Sequence, residues 1–541
     1  MERLKYWGLS ISSGLALAFA WPETMGFTFL IFIGLVGLLN VESLISKNYS
    51  RPGKAVFAYA YLTFFIFNLI TTWWIYFASP WGAVAAIVFN ALFMTVVFWL
   101  FHITKQKVGP KQGYFALVFY WLAFEYLHLN WDLSWPWLTL GNVFANNPEH
   151  VQWFEYTGVL GGSLWILFAN LVFYFAGNYF IKKHNFNAIV YVLLFLVVVL
   201  TPYFWSKSVY KNFKSPETVE TVNVVLVQPN IDPYNDKFGG MDEVEQIDRM
   251  IALAREKVDE TTDMLVLPET AFPSAYWEHE VSDLYGTEEL RKIISDFPQL
   301  RIVVGLSTSI LFGEGDKLPA TARKWREELY YDYYNTAMQL DSSSSIAFHH
   351  KSKLVLGVEK VPFLEYIPWM KKLSINLGGA AGGYGSDKQP TVFFDENGEN
   401  GMAPIICYES VYGEYVNKYA KSGANLYVII TNDGWWDNSP GYKQHLAYAR
   451  LRAIEGRKDI IRSANTGISA IINARGDIIV RTSWWEPAAL KGEAKLNDKI
   501  TFYIQYGDYI GRVASFVSIM LVLLTVVKIL NKTEQRLQGK K

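Results

Sequence analysis

The sequence predicts a bundle of eight membrane-crossing helices joined to one large water-facing α/β domain. Three observations predict it. Of 541 residues, 51% are hydrophobic and only 18% charged, and the apolar excess is crowded into residues 1–205 and 510–531. Lys and Arg occupy alternate connections between the apolar stretches. Residues 206–508 read like an ordinary soluble domain in which β-rich runs alternate with helical ones. A formal net charge of −1 gives no reason to expect a nucleic-acid partner.

A helix needs about 20 mostly apolar residues to cross a bilayer. Eight stretches qualify: about 6–21, 26–45, 56–78, 82–104, 113–130, 162–181, 187–205 and 510–531. The first does not read as a cleaved signal peptide, because "AFAWPETMGFTFLIF" runs straight into the next apolar stretch with no small-residue cleavage site before a polar segment. Arg3 and Lys5 precede the first span, and Lys47, Arg51 and Lys54 follow the second. Lys105, Lys107 and Lys111 follow the fourth, Lys182 and Lys183 the sixth, and Lys532, Arg536, Lys540 and Lys541 the eighth. Connections 22–25, 79–81 and 131–161 hold no Lys or Arg. The positive-inside rule then places both termini in the cytoplasm. It leaves the large domain on the far side, the periplasm in a bacterium. The expected domains are a seven-span bundle over 1–205, an extracytoplasmic domain over 206–508, and an eighth span with a basic tail over 509–541.

Within the large domain, "VNVVLVQ" (222–228) is a buried-strand run followed by the helix-like "MDEVEQIDRMIALAREKV". "MLVLPE" (264–269) is a second strand, "LRKIISDF" a helix and "RIVVGLS" (301–307) a third strand. Then come "MAPIICYE", a helix near 411–421, the strand "NLYVIITND" (425–433), the helix "KQHLAYARLRAIEGR" and "GISAIINARG". Strands that are nearly all apolar and alternate with helices imply sheets covered by helices. The Gly-rich "LGGAAGGYGSD" (377–387) lacks the Lys-Ser/Thr ending of a phosphate loop and reads as a flap or plain turn.

Three polar residues stand at ends of apolar runs, where α/β folds place their sites. Glu269 ends "MLVLPE", Cys407 ends "MAPIIC" and Lys351 follows "SIAFHH". Cys407 is the single cysteine of the chain. A free Cys is most often a buried small hydrophobe, and one alone cannot pair within the chain in an oxidising compartment. A thiol needs a base to become the reactive thiolate, which a carboxylate in an apolar site can be. A nearby ammonium would stabilise both the thiolate and an oxyanion. Cys, Glu and Lys thus form a complete acyl-transfer set if the fold brings them together. The eight His form no H-x-x-x-H pattern and no Cys/His cluster in sequence, so no metal is expected, and no cofactor either.

The segments around these residues resemble the nitrilase superfamily of carbon–nitrogen hydrolases. They are "VLVQPNI" (225–231), "LPETAFP" (267–273), "HKSKLV" (350–355), "PIICYES" (404–410) and "TNDGWWDNSPGYKQHLAYARLRAIEGRKDIIRSANTG" (431–467). With the spans, and with "WLAFEYLH" (121–128), "WPWLTLGN" (135–142), "TGVLGGSLW" (157–165) and "TFYIQYGDYIGR" (501–512), the chain resembles the bacterial apolipoprotein N-acyltransferase family. That resemblance implies a nitrilase-like αββα sandwich with a Glu-Lys-Cys triad. Glu269 would be the general base, Lys351 the oxyanion and thiolate stabiliser, and Cys407 the nucleophile. Glu409 would support the site, and Tyr408 would supply the backbone N–H after the nucleophile. Glu359 stands eight positions after Lys351, where the family has a further glutamate. Asn432, Trp435 and Trp436 fit a pocket-lining segment. The chain departs from the family in reading "LVLGVEK" and then "VPFLEYIP" after the lysine, which leaves Glu365 as an alternative to Glu359. Lys353 stands near Lys351. The family's arginine after "WLAFE" is missing, with His128 close by. Glu125, a carboxylate near the end of an apolar span, is a functional candidate by its cost there.

The reaction implied by the resemblance passes an acyl chain from a phospholipid, typically the sn-1 chain of phosphatidylethanolamine, to Cys407 as a thioester. The acceptor is the α-amino group of a diacylglyceryl-cysteine at an apolipoprotein N-terminus, with ping-pong kinetics. Aromatic-rich "NWDLSWPWL" suits an interface belt or a lipid opening. The rival readings are a membrane-tethered amidase or nitrilase acting on small amides, and a transporter or scaffold with an inactive domain. The latter conflicts with a filled triad and with the absence of internal repeats.

Overall fold

The computed structural model describes residues 2–213, 220–367 and 383–538. The chain forms two compact units, one helical (Met1–Tyr76, Pro80–Asn212 and Asp508–Lys541) and one α/β (Phe77–Ser79 and Phe213–Gly507).

Among the described residues the helical unit has eight long helices: Glu2–Ala20, Val36–Asn48, Pro52–Thr72, Pro80–Lys107, Pro110–Asn130, Phe154–Ile181, Asn185–Asn212 and Tyr509–Gln538. Prolines open three of them, where the missing N–H costs nothing. Six segments among the described residues are long and apolar enough to cross a membrane: Thr28–Asn48, Pro52–Thr72, Pro80–Lys107, Phe154–Ile181, Asn185–Asn212 and Tyr509–Gln535. The expected count of eight is therefore not matched by this measure. The two segments left out are helical but diluted by polar residues, Glu2, Arg3, Lys5 and three serines in one, and Lys111, Gln112, Glu125 and His128 in the other.

In an apolar 18-residue window of Phe154–Ile181, 78% of the residues are buried, against 11% and 17% in the corresponding windows of Asn185–Asn212 and Tyr509–Gln535. Those two helices turn Ile189, Leu193, Val197, Phe516, Ile519 and Leu523 outward. An apolar face of that extent suits hydrocarbon, not water. Inside the unit, polar side chains repair the backbone, as a membrane interior requires. The chain breaks between the turn Thr28–Phe32 and the helix Val36–Asn48. There Asn170 accepts from the Leu35 N–H at 2.8 Å and donates to the Ile31 carbonyl at 2.8 Å. Gly141 has no room for a side chain, because a Cβ would lie 2.0 Å from the Val159 carbonyl oxygen.

The α/β unit is built on two sheets. β1 (Thr221–Gln228), β2 (Met264–Val266), β3 (Phe272–Trp277), β4 (Arg301–Phe312), β5 (Arg323–Arg326), β6 (Leu329–Leu340), β7 (Ala347–His350) and β14 (Ala488–Lys495) form the first. β8 (Phe393–Phe394), β9 (Gly401–Ile406), β10 (Ala424–Thr431), β11 (Ile460–Ala464), β12 (Ala470–Ile472) and β13 (Ile478–Arg481) form the second. The parallel cores are β1–β2–β4 and β9–β10–β11.

Period-two alternation decides the layering. Val222, Val224 and Leu226 of β1, Met264 and Val266 of β2 and Val303 of β4 pack with Ile406, Leu426, Val428, Ile430 and Ile461 between the sheets. Their neighbours Val225, Val227, Leu265, Ile302 and Val304 face the other way, onto Ile247, Met250 and Leu290, Ile293 of the helices Glu243–Arg255 and Tyr285–Asp296. Helices Gly413–Lys421 and Pro440–Gly456 belong to the second sheet's layer, and the order is the expected αββα sandwich. The expected strands recur as β1, β2, β4, β9 and β10, while the long β6 and the closing β14 had no counterpart in the sequence reading. Of the Gly-rich stretch 377–387, residues 377–382 lie outside the described residues. Gly383–Asp387 are fastened: the Gly383 carbonyl accepts from Arg323 at 2.7 Å, and the Tyr384 N–H donates to the Glu359 carbonyl at 2.8 Å.

Candidate active site

Glu269, Lys351, Glu359 and Cys407 meet in the α/β unit. Glu269 follows β2 in a turn where Thr270 takes φ +47°, and the turn lies directly on β4. Gly305 makes that approach possible, since a Cβ there would stand 2.7 Å from the Glu269 Cα. Lys351 follows β7, its N–H donating to the Asn335 carbonyl at 2.8 Å. Its ammonium donates to Glu269 Oε1 at 3.1 Å and to Glu359 Oε1 at 2.8 Å. Burial opposes the charge on Lys351, but Glu269 and Glu359, with Cys407, outweigh it and hold the lysine well above its ordinary range.

Cys407 lies at the end of β9, in the first position of the turn Cys407–Val411, with φ +50°. A residue with a Cβ is held in that left-handed region only at a cost. Burial and the Glu269 charge push the thiol well above its ordinary range, against the opposing pull of Lys351. A thiol pushed in that direction needs a base to become the reactive thiolate.

Glu409 joins the two turns. Its Oε2 accepts from the Ile406 N–H at 2.9 Å, and its Oε1 accepts from Ser352 at 2.6 Å and Lys353 at 3.3 Å. Burial pushes this carboxyl up, yet His349 at 3.5 Å and the Ile406 and Ser352 amides bring it below the usual carboxylate range. Glu359 also accepts from the Val355 N–H at 2.8 Å, while Glu365 is exposed, so the glutamate beside the lysine is Glu359. The Lys353 ammonium lies over the Tyr412 ring at 5.0 Å and takes no part in the cluster. Tyr408 is buried, its ring edge-on to Tyr412 at 5.3 Å.

Asn432 donates its backbone N–H to Glu269 Oε2 at 3.0 Å. Trp435 packs on Phe238 and Tyr234, and Trp436 lies edge-on to His445. Glu125 belongs to the helical unit, where its Oε1 accepts from Trp121 at 3.0 Å and from the Leu140 N–H at 2.8 Å. It secures the turn Leu140–Phe144.

Other residues of the cluster carry no sequence signal. Asn335, in the middle of β6, donates to Glu269 Oε1 at 2.8 Å and Glu359 Oε1 at 3.0 Å. Lys237 is buried, its ammonium donating to the Glu269 carbonyl at 3.2 Å, and burial pushes it down to about 7. It also lines a cavity of 430 Å³ with Glu243, Gln246 and Ser274. Space assembles what the sequence kept apart: Cys407, Asp433 and His445 offer donor atoms within 4.8 Å of one another, the spacing of a metal group. Asp433 is already paired there with the Arg462 guanidinium and His445.

Residues 13–172 match the apolipoprotein N-acyltransferase N-terminal domain, and residues 223–499 match the carbon-nitrogen hydrolase family. A Chlorobaculum tepidum protein named apolipoprotein N-acyltransferase is 31% identical over 534 residues, 96% of this chain and 96% of its own length. A Geobacter metallireducens protein of the same name is 27% identical over 519 residues, 92% and 91% of the two chains. A solved amidase from Nesterenkonia sp. superposes with a TM-score of 0.35 at 18% identity, over 54% of this chain and 96% of its own. The chain belongs to the apolipoprotein N-acyltransferase family, whose α/β part is a carbon–nitrogen hydrolase domain.

Proposed function

We propose that the protein transfers a fatty acyl chain from a membrane phospholipid to the N-terminal α-amino group of diacylglyceryl-cysteine apolipoproteins, through a thioester on Cys407. The observation that carries this is one buried ammonium, Lys351, held between Glu269 and Glu359 within electrostatic reach of Cys407 on its strained turn. Glu269 removes the thiol proton, and the thiolate attacks the ester carbonyl of the donor, typically at sn-1 of phosphatidylethanolamine. Lys351 and the Tyr408 N–H stabilise the oxyanion. The tetrahedral intermediate collapses, the lysophospholipid oxygen leaves with the proton from Glu269, and the acyl chain remains on sulfur. The acceptor amine then attacks the thioester and gives its proton to Glu269, and the thiolate departs. Both substrates use one sulfur in turn, so the kinetics are ping-pong.

The apolar exterior of the helical unit supports a reading in which both substrates are met at a bilayer. In this reading residues 1–205 and 509–541 lie in the bacterial inner membrane with both termini cytoplasmic, and residues 206–508 face the periplasm, as the Lys and Arg pattern requires. The test is intact-protein mass spectrometry after incubation with phosphatidylethanolamine and no acceptor. Wild type gains one acyl chain that a diacylated lipopeptide discharges, and Cys407→Ala gains none. A folded wild type that forms no adduct but hydrolyses small soluble amides would overturn the proposal.

A further inference from the structure

Behind the Cys407 turn lies a row of buried polar groups that the chemistry above does not use. The Cys407 carbonyl faces two partners: Ser410 Oγ donates to it at 2.8 Å, and His445 Nε2 stands 3.2 Å away. Ser410 Oγ is itself 2.9 Å from the same ring nitrogen. On the far side of the ring, His445 Nδ1 is 2.9 Å from Asp433 Oδ1, an oxygen that also accepts from Thr431 Oγ1 at 2.8 Å. The other Asp433 oxygen is bonded to Arg462, whose Nη1 donates to the Ile468 carbonyl at 2.6 Å. His445, Asp433, Arg462, Thr431 and Ser410 are all at most 1% exposed. They come from four segments: the helix Pro440–Gly456, β10 with the turn after it, β11, and the cysteine turn itself.

A buried ion pair is a weak source of stability, because its desolvation cost rivals its attraction. Apolar side chains would fill this space as well. What they could not do is bond to a carbonyl and fix the plane of a peptide. The Cys407–Tyr408 peptide is trans, like every described peptide of the chain, so its C=O and N–H point to opposite sides of one rigid plane. With Nδ1–H given to Asp433, Nε2 donates to the Cys407 carbonyl as the imidazolium of a His445–Asp433 ion pair, and a bond that aims the carbonyl inward at His445 aims the Tyr408 N–H the opposite way.

We propose that His445, oriented by Asp433 and Arg462, is a positioning residue that fixes the Cys407–Tyr408 peptide plane and thereby holds the Tyr408 N–H as an oxyanion donor. The proposal rests on the reading of Cys407 as the acyl-accepting nucleophile. It separates two properties of one sulfur. Attack on an ester builds an oxyanion and needs the aimed N–H; alkylation by iodoacetamide needs the thiolate but builds none.

The test compares the two reactions in the full-length protein in detergent. His445→Phe fills the space without a donor, and Asp433→Asn keeps the ring's neighbour but not its charge. Each is expected to slow acyl-adduct formation from phosphatidylethanolamine, by about a hundredfold for His445→Phe, as for an ångström-scale misplacement. KM should stay unchanged, and iodoacetamide should label Cys407 no more slowly than in wild type, and faster in Asp433→Asn, because the Asp433 charge pushes the thiol up. His445→Gln, which retains a side-chain N–H, is expected to recover part of the loss. If His445→Phe does not fold, Asp433→Asn and His445→Gln carry the comparison. Equal adduct rates in the folded variants and wild type, or adduct formation and alkylation falling in parallel, would overturn the proposal. Failure of the Cys407 reading looks different, since wild type itself would then form no adduct.

Discussion

Each unit buries a cluster built around one shared charge, Glu42 in the helical unit and Lys351 in the α/β unit, and these two have inverted arithmetic. In the helical unit one carboxylate serves two basic side chains: Glu42 Oε1 meets His102 Nδ1 at 2.7 Å, and Oε2 meets the Lys105 ammonium. In the α/β unit one ammonium serves two carboxylates, Lys351 between Glu269 and Glu359, with a thiol alongside. The first cluster lies on two helices and links Val36–Asn48 to Pro80–Lys107 with both carboxylate oxygens engaged. The second keeps one carboxylate more than its cation neutralises, which suits a group that must accept a proton and give it back. Burial of charge alone does not mark a site. The surplus, and what stands next to it, does.

Removing the cation should separate the two most widely. Lys351→Met leaves two carboxylates uncompensated and takes away an oxyanion partner. Acyl transfer is expected to fall by about 10³-fold, the range for loss of one strong electrostatic group at a reacting centre. Glu42→Gln should instead leave the turnover of folded protein near wild type while costing stability, on the order of 3 kcal/mol for one partner removed from a buried pair. Acyl-adduct rates and thermal midpoints measured on both variants check the contrast. A catalytic collapse in Glu42→Gln would erase the distinction.

A smaller effect sharpens the picture inside the α/β cluster. Glu359 touches Lys351 and Asn335 and accepts from the Val355 N–H, whereas Glu365 is exposed. Glu359→Gln is expected to reduce kcat by about ten- to a hundredfold, through misplacement of the ammonium. Glu365→Gln should leave it unchanged. Equal losses in the two variants would mean that proximity to Lys351 is not what matters.

Glu269 and Cys407 could be read from the sequence because a polar residue at the end of an apolar run is a local signal. Lys351 stands at the end of an apolar run as well, but "HHKSKLV" offers two lysines, and only in space does Lys353 turn away to Tyr412. Asn335 and Lys237 were invisible for different reasons. One is a polar residue inside a tyrosine-rich strand, and the other sits in a loop whose burial nothing nearby announces. The row from Arg462 to Ser410 spans more than fifty positions of sequence and exists only as a tertiary contact. The layered fold was legible because the nearly all-apolar β1, β2 and β4 alternate with helical runs, but of the eight expected spans six are long and apolar enough to cross a membrane among the described residues. The helix Pro110–Asn130 shows why: it buries Glu125 and His128, so a helix inside a bundle need not be apolar all round.

The smallest expected effect concerns the residue just before Lys351. His350 Nε2 stands 2.9 Å from Glu278 and Nδ1 3.2 Å from Asp387. Burial opposes its charge, but these two carboxylates raise it to about 9, above the roughly 6.5 of a free imidazole. A group whose pKa is raised by folding stabilises the fold fully below its unfolded value, and that contribution disappears as pH rises through the folded one. The window is therefore about pH 6.5 to 9, with stability falling as pH rises. Both carboxylates are partly exposed, so screening limits the contribution to on the order of 1–2 kcal/mol. Lys237, at about 7, titrates in the same window, so wild type must be compared with His350→Gln at each pH and not with itself. The thermal midpoint of wild type should exceed that of the variant by a few degrees at pH 6, and the gap should narrow toward pH 9.5. A gap that stays constant would mean that the imidazole contributes by packing on the Tyr334 ring, 4.4 Å away, and not by charge.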